Sequence, residues 1–372
     1  MGFADFKGNS DVVHRLREML ARDRFPHAVI LTGARGSGKY TLAQMVAKAM
    51  NCLERPDPNG LFAAAQPEGA LPDFCGRCSN CLRIAEADDL EGRFAEAVEA
   101  RENLRDTDKR ETRILIQTFP DVLVIPPDPP QMMIKVDQVR HVIHSVYYRP
   151  SEGRQKVYIF TDSSFMKESA NALLKILEEP PEFATIFLLA ENATSLLPTI
   201  RSRCITLRLA PLPLAEIEQD LAFRTGWNAQ QKQLVARLSG GAIGCARGFD
   251  LNAYLAARAD AMTLLKTALD ANDHSALFKA TETYRAGAEG KERTEALIAA
   301  VYGLLEDLLF LRSGTPEMLR NIDIKSELQK LASPTTFEWI QTATERVGEV
   351  QSGMRRNLLR SLSLDAMAVS LQ

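Results

Sequence analysis

Residues 28–50 read AVILTGARGSGKYTLAQMVAKAM, and this stretch decides the fold. It opens with a short apolar run at 28–31, passes through a glycine-rich turn at 33–38, and continues from about Thr41 to Met50 with a helical pattern. A strand, a glycine-rich turn and a helix in this order give a phosphate-binding loop its structural context. The stretch therefore predicts a site for a phosphate group between a buried strand and a helix.

The alternation of strands and helices continues beyond this stretch. Apolar runs of strand length occur at 122–125, 156–160 and 185–190, and helical patterns lie between them at 136–147 and about 167–178. Such alternation is typical of a mainly parallel sheet with helices on both faces. The sequence therefore predicts an α/β domain.

The domain organisation follows from where the strand signals stop. After Pro211-Leu212-Pro213 the pattern is helical, and a first helical stretch ends at Gly240-Gly241. A chain of 372 residues is also too long for one ordinary core. We expect an α/β domain at 1–210, a small helical domain at 211–250 and a larger helical domain at 251–372.

The glycine-rich turn fits the pattern G-x-x-x-x-G-K from Gly33 to Lys39. Glycines let the backbone curl so that several N–H groups point at phosphate oxygens, and the dipole of the following helix adds to the attraction. Lys39 would reach the β- and γ-phosphates of a nucleotide. The candidate nucleotide-binding residues are Gly33, Gly36, Gly38, Lys39 and Thr41.

The position after the lysine departs from the usual pattern. A Ser or Thr there would give its hydroxyl to magnesium, but this chain has Tyr40. A phenol carries its oxygen far from the backbone, and Thr41 comes one residue late, where the helix has turned by about 100°. The loop is therefore compatible with ATP or ADP, whereas magnesium binding is in doubt.

A group of cysteines forms a metal-ligand pattern. Cys75, Cys78 and Cys81 have the spacing C-x-x-C-x-x-C, and Cys52 lies upstream. In a reducing compartment clustered cysteines indicate metal ligands before disulfides, and four thiolates suit a tetrahedral structural zinc. A redox pair and inert thiols are the alternatives. We expect a closed zinc site without catalytic chemistry, inside an insertion at about 51–113 that interrupts the α/β pattern.

Charge and hydropathy exclude several classes of protein. The formal net charge is −3 at pH 7, with 25% charged and 45% hydrophobic residues. A strongly basic DNA-coating protein is thereby excluded, while local basic patches stay open. No apolar stretch approaches the roughly 20 residues of a membrane span. The sequence therefore predicts a cytoplasmic protein with no membrane partner.

Further motifs give these residues a family resemblance. Phe25-Pro26-His27-Ala28 precedes the first strand, Val136-Asp137-Gln138-Val139-Arg140 resembles a V-D-Q-I-R helix, residues 169–181 resemble A-N-A-L-L-K-x-L-E-E-P-P, and Ser202-Arg203-Cys204 is an S-R-C motif. With the phosphate loop and the inserted cysteines, this ordered set is similar to the bacterial clamp-loader subunits of DNA polymerase III, both gamma/tau and delta-prime. The resemblance is specific over residues 1 to about 210.

The resemblance implies an AAA+ architecture, with a P-loop α/β nucleotide domain, a helical lid and a helical collar that joins five subunits into an open ring. The implied partners are the gamma/tau and delta subunits, the sliding clamp that the ring opens, and primer-template DNA. Contact with DNA would be made through backbone phosphates, without reading of the sequence. The chain would then act in DNA replication as part of a hetero-oligomer.

ATP hydrolysis in this family needs parts that the sequence lacks. By direct alignment, Thr161 and Asp162 take the places of the acidic pair expected after the strand at 156–160. A shift of one residue would put Asp162 near the metal, but Ser163 would then replace the base. The place of the lid arginine holds Gly244, and Arg247 lies about one turn later. Together with Tyr40, three independent parts are altered, which indicates lost turnover.

Arg203 of the S-R-C motif is retained. In the family this arginine projects into the ATP site of a neighbouring subunit, where a planar guanidinium can meet charge spread over phosphate oxygens. A retained finger beside a defective site is the combination found in delta-prime. We therefore expect a delta-prime-like subunit that supplies Arg203 in trans and has no ATPase of its own.

Other readings of the same residues stay open at this point. Arg203 could instead form a structural salt bridge. The intact Gly38-Lys39 favours a gamma/tau-like ATPase, and a third candidate is an ATP-sensing module unrelated to clamps.

Overall fold

The chain is described by a computed structural model that covers residues 2–22, 25–54, 71–269, 281, 284, 287–354 and 360–371. It divides into two compact units. The first comprises Met1–Leu212 with Ala242–Cys245, and the second comprises Pro213–Gly241 with Ala246–Gln372. The expected separation of a lid at 211–250 from a collar at 251–372 stays a prediction.

The first unit is built on a six-stranded sheet. The strands are β1 (Ala28–Thr32), β2 (Ile116–Phe119), β3 (Val122–Ile125), β4 (Lys156–Phe160), β5 (Ala184–Ala190) and β6 (Ile205–Arg208). Their order is β2-β3-β4-β5-β1-β6, and every neighbouring pair is parallel except β2 with β3. In the middle of the sheet Ile30 lies opposite Leu188 on one side and Thr206 on the other. The predicted mainly parallel sheet is confirmed.

Helices cover both faces of this sheet, as the alternation predicted. They are α1 (Ser10–Ala21), α2 (Lys39–Asn51), α3 (Ser79–Ala85), α4 (Leu90–Glu102), α5 (Asp106–Glu111), α6 (Val136–Val146), α7 (Lys167–Glu178) and α8 (Pro198–Arg201). Successive residues of a strand point to opposite faces, so Leu31 packs in a core with Leu16 and Val46, whereas Ile30 packs in a second core with Val139 and Leu173.

The described part of the insertion after α2 is irregular at 71–78 and mainly helical from Ser79 onward. The helix-prone stretch at 82–110 is divided among α3, α4 and α5. A break occurs at Asp89, whose side chain accepts a hydrogen bond from the N–H of Gly92 and begins α4. The Pro-, Gly- and Ala-rich part at 55–70 lies outside the described residues.

The two ends of the α/β unit are tied together. The side chain of Asn9 donates to the carbonyl O of Ala210 at 3.1 Å and accepts from its N–H at 2.7 Å. Gly8 and Leu212 are also in contact, since a Cβ on Gly8 would meet the Leu212 side chain. The beginning and the end of the long segment at 1–212 therefore lie side by side within this unit.

The second unit is helical throughout its described residues. Its helices are α9 (Leu214–Ala222), α10 (Ala229–Leu238), α11 (Ile243–Arg247, which begins in the first unit), α12 (Leu251–Leu269), α13 (Gly287–Arg312), α14 (Lys325–Ala332), α15 (Phe337–Met354) and α16 (Arg360–Ser370). Leu265, Leu304 and Leu328 lie in its core. Within it the buried carboxylate of Asp307 accepts from the backbone N–H of Arg320 and of Asn321. The predicted fold class, α/β followed by an all-helical part, is confirmed.

Candidate functional site

The phosphate loop lies at the carboxyl end of β1 and leads into α2. Gly36 and Gly38 have φ values of +74° and +90°, a backbone conformation that other residues adopt only with strain. The side chain of Lys39 turns back onto the loop, and its Nζ donates to the carbonyl O of Gly33 at 2.6 Å and of Ala34 at 2.8 Å. The predicted loop geometry is present, with its lysine bonded to the loop itself.

Two carboxylates influence Lys39 from neighbouring strand ends. Burial lowers the pKa of Lys39, while the negative charges of Glu191 and Asp162 act in the opposite direction. Glu191 directly follows β5 and Asp162 closely follows β4, so both lie at the edge of the sheet where β1 ends. Negative charge here stabilises the lysine cation and opposes an incoming phosphate.

Glu191 was not predicted as a site residue, although its position at the end of a buried strand indicates one. It is the first residue after a buried strand, and β5 pairs with the strand that carries the phosphate loop. The carboxyl ends of adjacent parallel strands meet at one edge, where ligands of open α/β sheets bind.

A segment at 242–245 lies against the loop. The N–H of Gly244 donates to the carbonyl O of Gly36 at 2.8 Å, and the Sγ of Cys245 donates to the carbonyl O of Arg35 at 3.2 Å. A Cβ on Gly244 would lie 2.8 Å from the same Gly36 oxygen. The position where the family resemblance places a lid arginine therefore has no room for a side chain unless the loop shifts.

Arg247, the alternative lid arginine, is engaged elsewhere. Its Nε and Nη2 donate to the two carboxylate oxygens of Asp220 at 2.8 and 2.6 Å. A two-pronged bond of this kind is among the stronger charge-assisted contacts, and it raises the pKa of Arg247.

The Tyr40 hydroxyl is used as a structural tie. It donates to the carbonyl O of Ala87 at 2.5 Å and accepts from Nε2 of Gln44 at 2.7 Å. Ala87 follows α3, so the bond joins the first turn of α2 to the insertion. Thr41 is exposed on the same turn. Both observations agree with the sequence argument that the usual magnesium hydroxyl is missing.

The residues at the place of the acidic pair bond to one another and to the next loop. Oδ1 of Asp162 accepts from the N–H of Ser164 at 2.7 Å and from its hydroxyl at 2.5 Å. The Ser163 hydroxyl accepts from that of Ser195 at 2.7 Å. Asp162 is therefore the acidic side chain at this place, and its Oδ1 is used in hydrogen bonds to Ser164.

The four cysteines of the predicted metal site are brought together. The Sγ atoms of Cys52, Cys75, Cys78 and Cys81 all lie within 4.8 Å of one another, a separation that suits four thiolates around one tetrahedral ion. Cys52 and Cys81 are buried, and burial raises the pKa of both thiols. These two thiols therefore remain neutral unless a cation draws off their protons. The cluster can hold a metal ion, and a tetrahedral set of four sulphur ligands is typical of zinc or of an iron–sulphur centre.

The cysteine cluster fastens the insertion to α2. Cys52 follows α2, and Cys78 is the residue before α3. Beside the cluster the side chain of Asn80 donates to the carbonyl O of Asn51 at 3.0 Å, and the Nζ of Lys48 bonds to the carboxylate of Asp88 at 2.5 Å. A metal here would hold the insertion against the carboxyl end of α2. The hydrogen bond of Tyr40 to Ala87 holds the insertion against the amino end of the same helix.

Arg203 lies between α8 and β6, on the surface of the first unit. Its side chain is 34% exposed. The guanidinium donates to the carboxylate of Glu178 at 2.6 Å and to the carbonyl O of Thr199 at 2.8 Å. A salt bridge, the alternative that the sequence left open, is thus present. Exposed pairs of this kind contribute only about 0–1 kcal/mol to stability, so the bridge leaves a role in binding open.

These features define a P-loop α/β protein with an inserted four-cysteine cluster and a helical C-terminal part. The sequence profile of the family described as "DNA polymerase III, delta subunit" matches residues 8–213, more than half of the chain. The chain therefore belongs to that family.

Individual relatives are subunits of the same polymerase. The chain is 27% identical to DNA polymerase III subunit tau of Escherichia coli (strain K12) over 97% of this chain and 54% of that protein. It is 23% identical to subunit delta' of Bacillus subtilis (strain 168) over 97% of this chain and 95% of that protein. It is also 31% identical to subunit delta' of Pseudomonas aeruginosa over 52% of this chain and 45% of that protein.

The extent of these matches differs between the two kinds of relative. The chain spans between 25% and 54% of the length of three tau or tau/gamma relatives. The comparisons confirm a relationship to DNA polymerase III subunits. The relatives include both tau/gamma and delta' subunits. No helix in the described part of the chain is long and apolar enough to cross a membrane.

Proposed function

We propose that this protein is a delta-prime-like subunit of the DNA polymerase III clamp loader, which places the sliding clamp on primed DNA. The observation that carries the proposal is a contrast within one unit. Arg203 of the S-R-C motif lies at the surface, while Tyr40, the Thr161-Asp162 pair and Gly244 stand where the family's ATPases have residues used in turnover. A subunit of this kind supplies a catalytic group to its neighbour and hydrolyses no ATP itself.

The defects of the phosphate loop support the absence of turnover. Tyr40 is bonded to Ala87 where a magnesium ligand would be needed, and a side chain at position 244 would meet the loop. Phosphoryl transfer depends on metal, base and cationic groups acting together. ATP or ADP binding at Gly33, Gly36, Gly38, Lys39 and Thr41 is compatible with the glycine geometry, but magnesium-dependent hydrolysis is not supported.

Arg203 would act as an arginine finger in a neighbouring ATPase subunit. A guanidinium has five N–H donors in a planar fork, and this geometry matches the oxygens of a transferring phosphoryl group. The finger stabilises charge that develops as the bond to the leaving phosphate breaks. It needs a position at the surface, and a one-third-exposed side chain between α8 and β6 meets that need.

The remaining parts have supporting roles in this proposal. Zinc bound by the four cysteines is structural and holds the insertion on α2. The helices at 251–372 form the collar that assembles a pentameric ring with gamma/tau and delta subunits, and those at 211–250 form the lid. The ring contacts the clamp and primer-template DNA, the latter through backbone phosphates.

Two assays test the proposal directly. The purified chain, with Lys39→Ala as the control, should show no steady-state ATP hydrolysis. In a complex reconstituted with the other loader subunits, Arg203→Ala should leave assembly intact and reduce ATP turnover by the neighbouring subunit. Unchanged turnover in that complex would contradict the finger assignment.

A gamma/tau-like ATPase is the second candidate, because Gly38-Lys39 is intact and the alignment with tau covers 97% of the chain. The same ATPase assay separates the two. Hydrolysis by the isolated chain that disappears in Lys39→Ala would move the assignment to a motor subunit.

A further inference from the structure

The guanidinium of Arg203 is fixed by two groups of its own subunit. Nη2 donates to Oε1 of Glu178 at 2.6 Å, and Nη1 donates to the carbonyl O of Thr199 at 2.8 Å. A longer contact at 3.5 Å joins Nη1 to the Ser202 hydroxyl, so these bonds use three of the five N–H donors of a guanidinium. Two donors therefore remain for an anion, and neither anchor has to break for the arginine to bind one.

The location of Glu178 explains why the pair forms. Glu178 is the last residue of α7, where the helix dipole is negative and a carboxylate is unfavourable without a nearby cation. Arg203 supplies that cation. Thr199 lies in α8, so the guanidinium is held between the end of one helix and the first turn of another.

The exposure of the pair points to orientation and not to stability. Half of the Glu178 side chain and a third of the Arg203 side chain are exposed, and exposed ion pairs contribute little to folding. A free arginine samples many rotamers, and that freedom is lost when it binds. An arginine that is already anchored at two points loses less on entering a neighbouring site, as in other pre-organised catalytic groups.

We propose that Glu178 is a positioning residue for Arg203. Its carboxylate holds the guanidinium in the plane and direction in which the side chain enters the ATP site of the adjacent subunit. This role rests on the proposed function of Arg203 as a finger. It assigns a purpose to a glutamate that the sequence reasoning treated only as part of a family signature.

The test compares Glu178→Ala and Glu178→Gln with Glu179→Ala, the adjacent exposed glutamate, which serves as a matched control. Each variant is assembled with its loader partners, the clamp and primed DNA, and kcat and KM for ATP are measured. Glu178→Ala should lower turnover at the site served by Arg203 by about 10-fold, with little change in KM, because misplaced groups lose rate more than binding. Glu178→Gln keeps an acceptor oxygen and should restore much of the loss, while Glu179→Ala should match the wild type.

A double variant separates this proposal from the one on which it depends. In the Arg203→Ala background, Glu178→Ala should cause no further loss, because the residue acts through the arginine. If Arg203→Ala alone leaves turnover unchanged, the finger itself is rejected. If Arg203→Ala lowers turnover but Glu178→Ala does not, or raises it, the finger stands and the positioning role is rejected. An equal loss in Glu178→Ala and Glu179→Ala would indicate a general charge effect and would also reject that role.

Discussion

Lys39 and Arg203 lie in the same α/β unit, and they differ in what they leave for a ligand. Lys39 is bonded to two carbonyl groups of its own loop, near the negative charges of Glu191 and Asp162. Arg203 is also bonded within its own subunit, through Glu178, Thr199 and Ser202, but its guanidinium keeps two N–H donors for a ligand. Under the proposed function, Lys39 belongs to a site without turnover, whereas Arg203 is the group that serves a neighbour's site.

The largest effect is expected from removing the metal. Its loss should destabilise the insertion and α2, the helix that begins at Lys39, and leave the surroundings of Arg203 unchanged. Purified protein should contain about one zinc per chain by elemental analysis. Chelation or Cys81→Ser should lower the free energy of unfolding by several kcal/mol. This is less than the roughly 10–16 kcal/mol with which structural zinc binds zinc-finger peptides. The loss should appear in thermal unfolding, because the cluster holds the insertion on α2.

Cys204→Ser is the control for this measurement. Cys204 is a half-buried cysteine outside the cluster, so this variant should keep its full zinc content. Equal metal content in Cys81→Ser and the wild type would show that the four thiols do not form the site.

The next effect distinguishes Arg203 from Lys39 by the ATP turnover of the complex. In the reconstituted complex, Arg203→Lys should lose nearly as much turnover as Arg203→Ala, on the order of 10³-fold at the site served, because an ammonium lacks the planar fork. Lys39→Ala should change the turnover of the complex little. A large loss of ATP turnover in Lys39→Ala, with assembly unchanged, would show that the chain's own phosphate loop contributes to turnover.

A smaller effect concerns the contact between the phosphate loop and the segment at 242–245. Gly36→Ala should lower the free energy of unfolding by about 2–4 kcal/mol, because φ is +74° and the new Cβ would lie 2.6 Å from the backbone N of Cys245. Gly226→Ala is the matched control, since its φ is +88° and no atom lies within 4 Å of the new Cβ. The control should cost only the backbone strain, about 1–2 kcal/mol. Equal losses in urea unfolding would show that the segment does not pack on the loop.

The smallest effect tests the structural use of Tyr40. Tyr40→Phe should reduce stability by about 1–2 kcal/mol, because the buried carbonyl of Ala87 loses its hydroxyl donor. Tyr147→Phe, which alters a tyrosine that is 54% exposed, should be nearly neutral. If Tyr40→Phe does not change the free energy of unfolding in the same urea titration, the Tyr40 hydroxyl does not bond to Ala87.

The sequence was sufficient where local pattern determines structure. The strands Val122–Ile125 and Lys156–Phe160 and the helix Lys167–Glu178 have the bounds that were predicted, because continuous apolar runs and apolar residues at helical spacing are local signals. The strands β2 and β6 were missed. Both are short and lie at the edges of the sheet, and β6 buries only Leu207, so neither has the apolar run of a central strand.

The candidate site could be predicted only as far as its motifs extend. The phosphate loop and the C-x-x-C-x-x-C run are each contiguous motifs, and Cys52 was correctly grouped with the other three cysteines across the 22 residues that separate it from Cys75. The partners of Arg203 and Lys39 could not be predicted in this way. Glu178 meets Arg203 only because α7 and α8 pack together, and Glu191 lies near Lys39 only because β5 pairs with β1.

The paired hydrogen bonds between Asn9 and Ala210 have a consequence for how such a chain can be rearranged. The segment between these two residues has its ends in contact, so it can be joined to other sequences through one short seam. New termini opened in a surface loop, with the old ends linked across this seam, should preserve the sheet order. Such a rearrangement would allow labels or fusion partners to be placed at a chosen face of the α/β unit while Lys39 and Arg203 keep their surroundings.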